Sequence, residues 1–259
     1  MSLLSITNVT KEFGGLAALH EVSLQINAGE IISLIGPNGA GKTTLFNCIT
    51  GTMPPNTGSI QFQGTELVGM QPHEIARQGI ARTFQHIRLF NRMTVQENVM
   101  VGNDYKGRTG IFSALLRPPR VAREETASKE KCHEVLSLFG ERLLPRLTQY
   151  ADMLSYANRR RLEIARALVS NPRLILLDEP TAGMNPHETQ GIVELIRLIR
   201  ERGHTVMVIE HKMKVVMTVS DRIIVLDHGE KIAEGTPAEV QADRRVIAAY
   251  LGEEVTHPC

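Results

Sequence analysis

Apolar and polar positions divide the chain into short strands and longer helices in regular alternation. Leu3 to Val9 and Val22 to Ile26 alternate apolar with polar, the period of a half-buried strand, with Phe13-Gly14-Gly15 interrupting between them. Ile31 to Ile35 is wholly apolar and bounded by turn residues, as a buried strand is, and Leu45 to Ile49 opens a helix. Pro54 to Gly58 is a loop, and Ser59 to Phe62 with Gln63-Gly64 reads as a hairpin. Pro72 to Gln78 predicts a short helix with proline at its first position, followed by a strand from Ile80 to Phe84. Beyond Thr94 the pattern turns helical: Val95 to Val101, a loop-rich stretch from Gly102 to Arg120, then Arg123 to Phe139. Strand and helix then alternate again. Helices are predicted over Asn158–Val169, Pro186–Arg202 and Met213–Val219, and strands over Leu174–Leu177, Thr205–Ile209 and Arg222–Leu226. A short strand around Ala233 and a helix from Pro237 finish the chain. The fold class is α/β, with a largely parallel sheet covered on both faces.

Between the strand Ile31–Ile35 and the helix at Leu45 lies Gly36-Pro37-Asn38-Gly39-Ala40-Gly41-Lys42-Thr43-Thr44. This is the phosphate-binding loop pattern G-x-x-x-x-G-K-[ST], in the strand–turn–helix context it requires. Glycines let the backbone curl until successive N–H groups converge on an anion, and the helix N-terminus adds unpaired donors. Lys42 is placed for the β- and γ-phosphates of a nucleotide, and the Thr43 hydroxyl for Mg²⁺. A Gly-rich connection without function would leave Lys42 and Thr43 unexplained. Asp178 closes an apolar strand and supplies a carboxylate for Mg²⁺; Glu179, next to it, can deprotonate an attacking water. Gln85 and His211 end other strands, where they can sense the metal or the γ-phosphate. Ser155, before a helix start, marks a second potential anion site. Phe13 is placed either to stack on a purine base or to cover a sheet edge. Each has an ordinary structural reading alone; their order behind the phosphate loop argues for a site.

The 259 residues, 42% hydrophobic, suffice for a sizeable core, either one domain or a core with a subdomain. A net charge of +1 gives no basic face for nucleic acid. Cys48, Cys132 and Cys259 form no C-x-x-C pair, which fits a reducing compartment and no zinc site, and Cys48 falls on the apolar side of its helix. No stretch has the roughly 18 apolar residues of a membrane span, and no signal peptide is expected. The basic run Arg117 to Arg123 reads as a solvated edge or a contact surface.

In these motifs the chain resembles the nucleotide-binding subunit of an ABC transporter over its whole length. Gly36 to Thr44 is similar to Walker A, Leu174 to Glu179 to Walker B, Gln85 to the Q-loop, and Thr181 to Asn185 to the D-loop. His211 is similar to the switch histidine, Phe13 to the adenine-stacking aromatic, and Leu154-Ser155-Tyr156-Ala157-Asn158 to the signature, usually Leu-Ser-Gly-Gly-Gln. Within the family, Arg82 to Gln85, Leu89-Phe90, Gly110 to Phe112, Arg161 to Arg166 and Ala249 to Gly252 resemble LivG-type subunits of branched-chain amino-acid importers.

The resemblance implies a P-loop ATPase core with an antiparallel β subdomain (residues 1–84 and 156–259) and an inserted helical subdomain (85–155). It implies ATP and Mg²⁺ as ligands. Asn38, Gly39, Ala40, Gly41, Lys42, Thr43, Thr44 and Phe13 would bind the nucleotide, Ser155 and Ala157 the nucleotide of a partner, and Thr43, Gln85 and Asp178 the metal. Lys42, Glu179, Gln85 and His211 would act in hydrolysis. Implied partners are a second ATPase subunit, sister or copy, joined head to tail, membrane permeases seated in a groove beside the Q-loop, and a periplasmic binding protein. The implied place is the cytoplasmic face of the inner membrane. Ala157 replaces the signature's second glycine: its Cβ either crowds the N–H that approaches the partner's γ-phosphate and weakens that site, or fits there without strain. Two rival readings are an ABC-type ATPase acting on DNA or ribosomes, and a nucleotide-gated binding protein without turnover. The short interval between P-loop and signature, the single cassette and the near-neutral charge oppose the first. Lys42, Asp178, Glu179 and His211, all present, oppose the second.

Overall fold

A computed structural model describes residues 2–103 and 119–251. Two strands, β1 (Ser2–Phe13) and β2 (Leu16–Asn27), form a long hairpin turned at Gly14-Gly15. They run further than the alternation alone suggests, because register shifts near Asn8 and Glu21, both at positive φ, absorb the interruptions in pattern. With β4 (Thr57–Phe62) and β5 (Thr65–Glu66) they make an antiparallel sheet ordered β2-β1-β4-β5.

The second sheet has six strands: β3 (Ile31–Ile35), β6 (Ile80–Arg82), β7 (Leu174–Asp178), β8 (Thr205–Ile209), β9 (Arg222–Asp227) and β10 (Glu230–Gly235), ordered β10-β9-β3-β8-β7-β6. All neighbours are parallel except β10, which turns back on β9. The helices are α1 (Lys42–Ile49), α2 (Pro72–Gln78), α3 (Val95–Val101), α4 (Pro119–Ser137), α5 (Tyr156–Leu168), α6 (Pro186–Glu201), α7 (Met213–Val219), α8 (Pro237–Ala242) and α9 (Arg244–Leu251).

Alternate residues of the buried strands feed two cores, as the period of two requires. Ile175, Leu177, Val206 and Val208 pack with α3, α4, α5 and α6 on one face. Leu174, Leu176, Met207 and Ile209 pack on the other with α1 and the antiparallel sheet. Helices α3 and α4 therefore share a core with the parallel sheet rather than forming one of their own. Val216, Val240 and Val246 form a third cluster with Ile35 and Ile223.

Several element ends differ from the pattern. The strand expected over Ile80–Phe84 stops at Arg82, because Phe84 N turns to the Glu163 carboxylate (3.4 Å) instead of a neighbouring strand. Helix α5 begins at Tyr156, two residues early, because the Ser155 hydroxyl caps it by accepting from Asn158 N. Helix α4 begins at Pro119 rather than Arg123. The C-terminal helix breaks at Asp243, whose carboxylate accepts from Arg245 N and begins a new helix. The Gly110–Phe112 segment and Cys259 lie outside the described residues, as does most of the expected loop from Gly102 to Arg120.

Cys48 and Cys132 are buried, and burial pushes both thiols up to about 11. Since the thiolate is the reactive species, neither should be alkylated by iodoacetamide at pH 7.5 in the native protein, and both should be modified in denaturant. Peptide mass mapping checks this.

Candidate nucleotide site

The site is assembled where β3, β8, β7 and β6 end side by side. Asp178 pairs with Ile209, Leu34 with Ile209, and Arg82 with Leu176, so the four C-terminal ends share one edge of the sheet, with β6 ending two residues before β7. The phosphate loop leaves β3, His211 follows β8, Glu179 follows β7 and Gln85 follows β6. Ligands of open parallel sheets bind at such an edge. A cavity of about 230 Å³ lies there, lined by Asn38, Gly39, Ala40, Gly41, Lys42, Thr43, Thr44, Gln85, Glu179, His211 and, from the β hairpin, Ala18.

Two glycines of the loop are required. A Cβ on Gly36 would stand 2.0 Å from Leu226 O, and one on Gly41 2.4 Å from Ala18 O, and both residues have positive φ. Lys42 is 6% exposed, and its ammonium donates to the carbonyls of Gly36 and Pro37, both at 2.7 Å. Burial lowers its pKa, and the charges of Glu179 and Asp178 oppose that shift.

Glu179 is the junction of the site. Its Oε1 accepts from Gln85 Nε2 at 3.0 Å and lies 3.1 Å from His211 Nε2. Its backbone sits at φ 47°, in the left-handed region that non-glycine residues rarely adopt. The turn holds because Glu179 N donates to Ile209 O (2.9 Å) and Ala182 N to Glu179 O (3.1 Å). Strain of this kind collects at functional sites. Asp178 is buried, and its Oδ2 accepts from Arg82 at 3.0 Å. Burial raises its pKa, opposed by that guanidinium. Arg82 also donates to Asn47 Oδ1 on α1 at 2.6 Å, tying the phosphate-loop helix to β7.

Two buried ionic groups that the residue pattern does not single out hold these parts in place. Arg160, fully buried on α5, donates to Phe84 O (2.6 Å), Gln85 O (2.7 Å) and Glu163 Oε2 (2.7 Å). Glu163 Oε1 in turn accepts from Phe84 N and Arg88 N. The pair thus replaces a strand partner for the backbone that carries Gln85. Glu210, also buried, accepts from Thr181 N and Oγ and from His211 N and Lys212 N, while Lys212 Nζ donates to Thr181 O (2.9 Å) and Met184 O (3.0 Å). The signal for both was present as charged residues on otherwise buried elements, Arg160 and Glu163 spaced to share one face of a helix.

The remaining expected residues lie elsewhere. Phe13, 47% exposed at the hairpin end, does not line the cavity; the Lys11 ammonium lies 5.4 Å from its ring centre. Ser155 and Ala157 do not line it either. Ala157 is 3% exposed and packs in the core of α3, α5 and α6, so its methyl points inward. That burial favours the fit without strain. Tyr156 is half exposed and lies against Gly183.

Chemically, the edge offers a loop of N–H donors, an ammonium, a hydroxyl and a carboxylate gripped by an amide and an imidazole. That defines a P-loop nucleotide-binding protein. Residues 19–182 match the family model described as ABC transporter, and residues 230–256 one described as branched-chain amino acid ATP-binding cassette transporter. The chain belongs to the ABC transporter family of ATP-binding cassettes. It is 46% identical over 252 residues to the high-affinity branched-chain amino acid transport ATP-binding protein LivG of Escherichia coli K12, covering 97% of this chain and 98% of that one. It is 42% identical over 256 residues to BraF of Pseudomonas aeruginosa, described in the same words, with 97% and 98% covered. A crystal structure of a nucleotide-free ATP-binding cassette from an ABC transporter superposes with a TM-score of 0.84 at 33% identity, covering 98% of this chain and all of that one. The fold is the ABC ATPase fold, a P-loop core with an antiparallel β subdomain and an inserted helical subdomain.

Substituting Arg160 by Met should destabilise the protein by about 3–5 kcal/mol, because it strands the buried Glu163 carboxylate and two carbonyls. Replacing both Arg160 and Glu163 by Met should cost less than the single change. Urea denaturation of the three proteins checks this. Ala157→Gly should leave the ATPase rate of the assembled complex within twofold and lower stability by about 1 kcal/mol, read by phosphate release and the same denaturation.

Proposed function

We propose that this chain is the ATP-hydrolysing subunit of an importer for branched-chain amino acids. The reading rests on one observation above all: the Glu179 carboxylate sits between Gln85 and His211 at the mouth of a phosphate loop, in a chain nearly half identical to LivG along its length. ATP would lie with its phosphates on the N–H groups of Asn38 to Thr44 and on Lys42, whose ammonium would exchange the Gly36 and Pro37 carbonyls for phosphate oxygens. The exposed Phe13 ring is the platform for adenine; stacking of this kind is worth about 1–3 kcal/mol.

The donor set also fits Mg²⁺. Thr43, Gln85 and Asp178 offer hard oxygens, and no group of three or more His, Cys, Asp or Glu gathers as a metal cage among the described residues. That suits an ion which keeps water and phosphate ligands. With Gln85 Nε2 engaged by Glu179, the amide oxygen is the end left for the cation. When bound, Mg²⁺ neutralises charge on the phosphate oxygens. Glu179 takes a proton from the attacking water, and His211 holds the carboxylate and meets the γ-phosphate.

Ser155 is exposed and does not line the chain's own cavity, which supports its use on the nucleotide of a second ATPase subunit, a sister chain or another copy, joined head to tail. No helix among the described residues is long and apolar enough to cross a membrane. On this reading the partners are separate permease subunits, with a periplasmic binding protein as the source of solute, and the chain works at the cytoplasmic membrane face. The groove of about 440 Å³ between α2, Phe84 and α5, lined by Pro72, Arg82, Phe90 and Arg166, is the seat for a permease segment. Residues 85–155 form the helical insertion on this reading, and residues 1–84 and 156–259 the core.

Glu179→Gln keeps the shape of the junction and removes the base. ATP binding should persist while hydrolysis by the assembled complex falls by about 10²–10⁴-fold, measured by nucleotide titration and phosphate release. Undiminished turnover would remove Glu179 from the role.

A further inference from the structure

A second cavity, of about 400 Å³, lies on the other side of α5, in the seam between the segment following α4 and the flank of α6. Two arginines meet there. Arg161, on α5, is 6% exposed; its guanidinium donates to Asn158 Oδ1 at 3.2 Å and has no carboxylate within ion-pairing distance among the described residues. Arg142, in a single turn of 3-10 helix at Gly140–Arg142, is exposed and forms no ion pair among the described residues. Burial, and then the charge of Arg142, holds the Arg161 pKa below its ordinary value, with Glu188 opposing.

Helix α6 passes close to this guanidinium. Gly191 stands in its interior, where glycine is a poor helix former. A Cβ there would come within 3.0 Å of Arg161 Nη2. One turn on, Glu194 borders the same cavity, its Oε1 accepting from Gln190 Nε2 at 3.1 Å. His187 and Gln190 of α6 also line it, and Leu138, Phe139, Leu195 and Leu198 form an apolar wall.

Two guanidiniums that line one cavity repel, and a buried one with no carboxylate in ion-pairing distance is costly. A carboxylate between them would satisfy both, with the forked geometry arginine favours. A bare phosphate or sulfate would meet the negative charge of Glu194, whereas a ligand carrying an ammonium beside its carboxylate would not. The apolar wall adds a third point of recognition, and the volume lies within the range of small-molecule sites.

We propose that this cavity binds a free α-amino acid with an apolar side chain: the carboxylate on Arg142 and Arg161, the ammonium on Glu194, and the side chain against Phe139, Leu195 and Leu198. That the ligand is also the solute carried rests on the functional reading above; the binding itself does not. A molecule held there joins the turn at Arg142 to α6 and so stiffens the seam.

The test is calorimetric titration of the purified chain, free of nucleotide, with L-leucine. Saturable binding is expected, accompanied by a rise in melting temperature. Arg142→Gln and Glu194→Gln should each weaken it at least tenfold, the effect of losing one charged hydrogen bond. Both side chains are exposed, so ATP affinity should be unchanged and serves as the control for folding. Leucinamide, lacking the carboxylate, and N-acetyl-leucine, lacking the ammonium, should each bind at least tenfold more weakly than leucine. Absence of leucine binding, binding insensitive to both substitutions, or binding of sodium phosphate in place of leucine would each overturn the proposal. Because the readout uses the isolated chain, a transporter that fails to carry branched-chain amino acids would count against the transport reading alone.

Discussion

The register of the β7–β8 ladder, in which Asp178 lies opposite Ile209, is the constraint on which the site depends. Parallel strands leave their loops on one edge, and four such loops emerge there side by side. The order in space, β3-β8-β7-β6, differs from the order in the chain. Glu179 is thereby flanked by His211 on one side and Gln85 on the other, although the three are separated by 94 residues in one direction and 32 in the other. A slip of one residue in any ladder would send each side chain to the opposite face of the sheet.

Buried charge, more than apolar packing, sets the fine geometry at that edge. Arg82 and Arg160 each engage both terminal guanidinium nitrogens and Glu210 both carboxylate oxygens, and each joins segments distant in sequence. Ion pairs of this kind add little to stability against an apolar replacement, yet removing one partner is severe. Their value here lies in direction: an apolar contact would hold Phe84 and Gln85 near α5 without fixing where the amide of Gln85 points.

Much of this was legible in the residue pattern. The phosphate loop carries its own chemistry in its glycines, Lys42 and Thr43, and the apolar strands before Gly36, Asp178 and Glu210 place their loops on one edge once a parallel sheet is assumed. The misses have physical causes. The strand at Ile80 stops early because its partner beyond Thr83 is a side chain, which no periodicity encodes. Helix α5 starts early because a serine hydroxyl, not an apolar stripe, defines its first turn. The inward direction of the Ala157 methyl follows from the helix starting at Tyr156, and so was hidden by the same error. Arg160 and Glu163 went unmarked because most of their partners are backbone groups far away in the chain.

The Glu210 network also determines how motion would travel. Its carboxylate grips Thr181 and the backbone of His211 at once, and Lys212 reaches back to the carbonyl of Met184. The loop ahead of α6 and the histidine after β8 are therefore a single mechanical part. The carbonyl of Met184 and the backbone of His211 are thus tied by a route that runs through Lys212 and Glu210 and does not cross the phosphate loop.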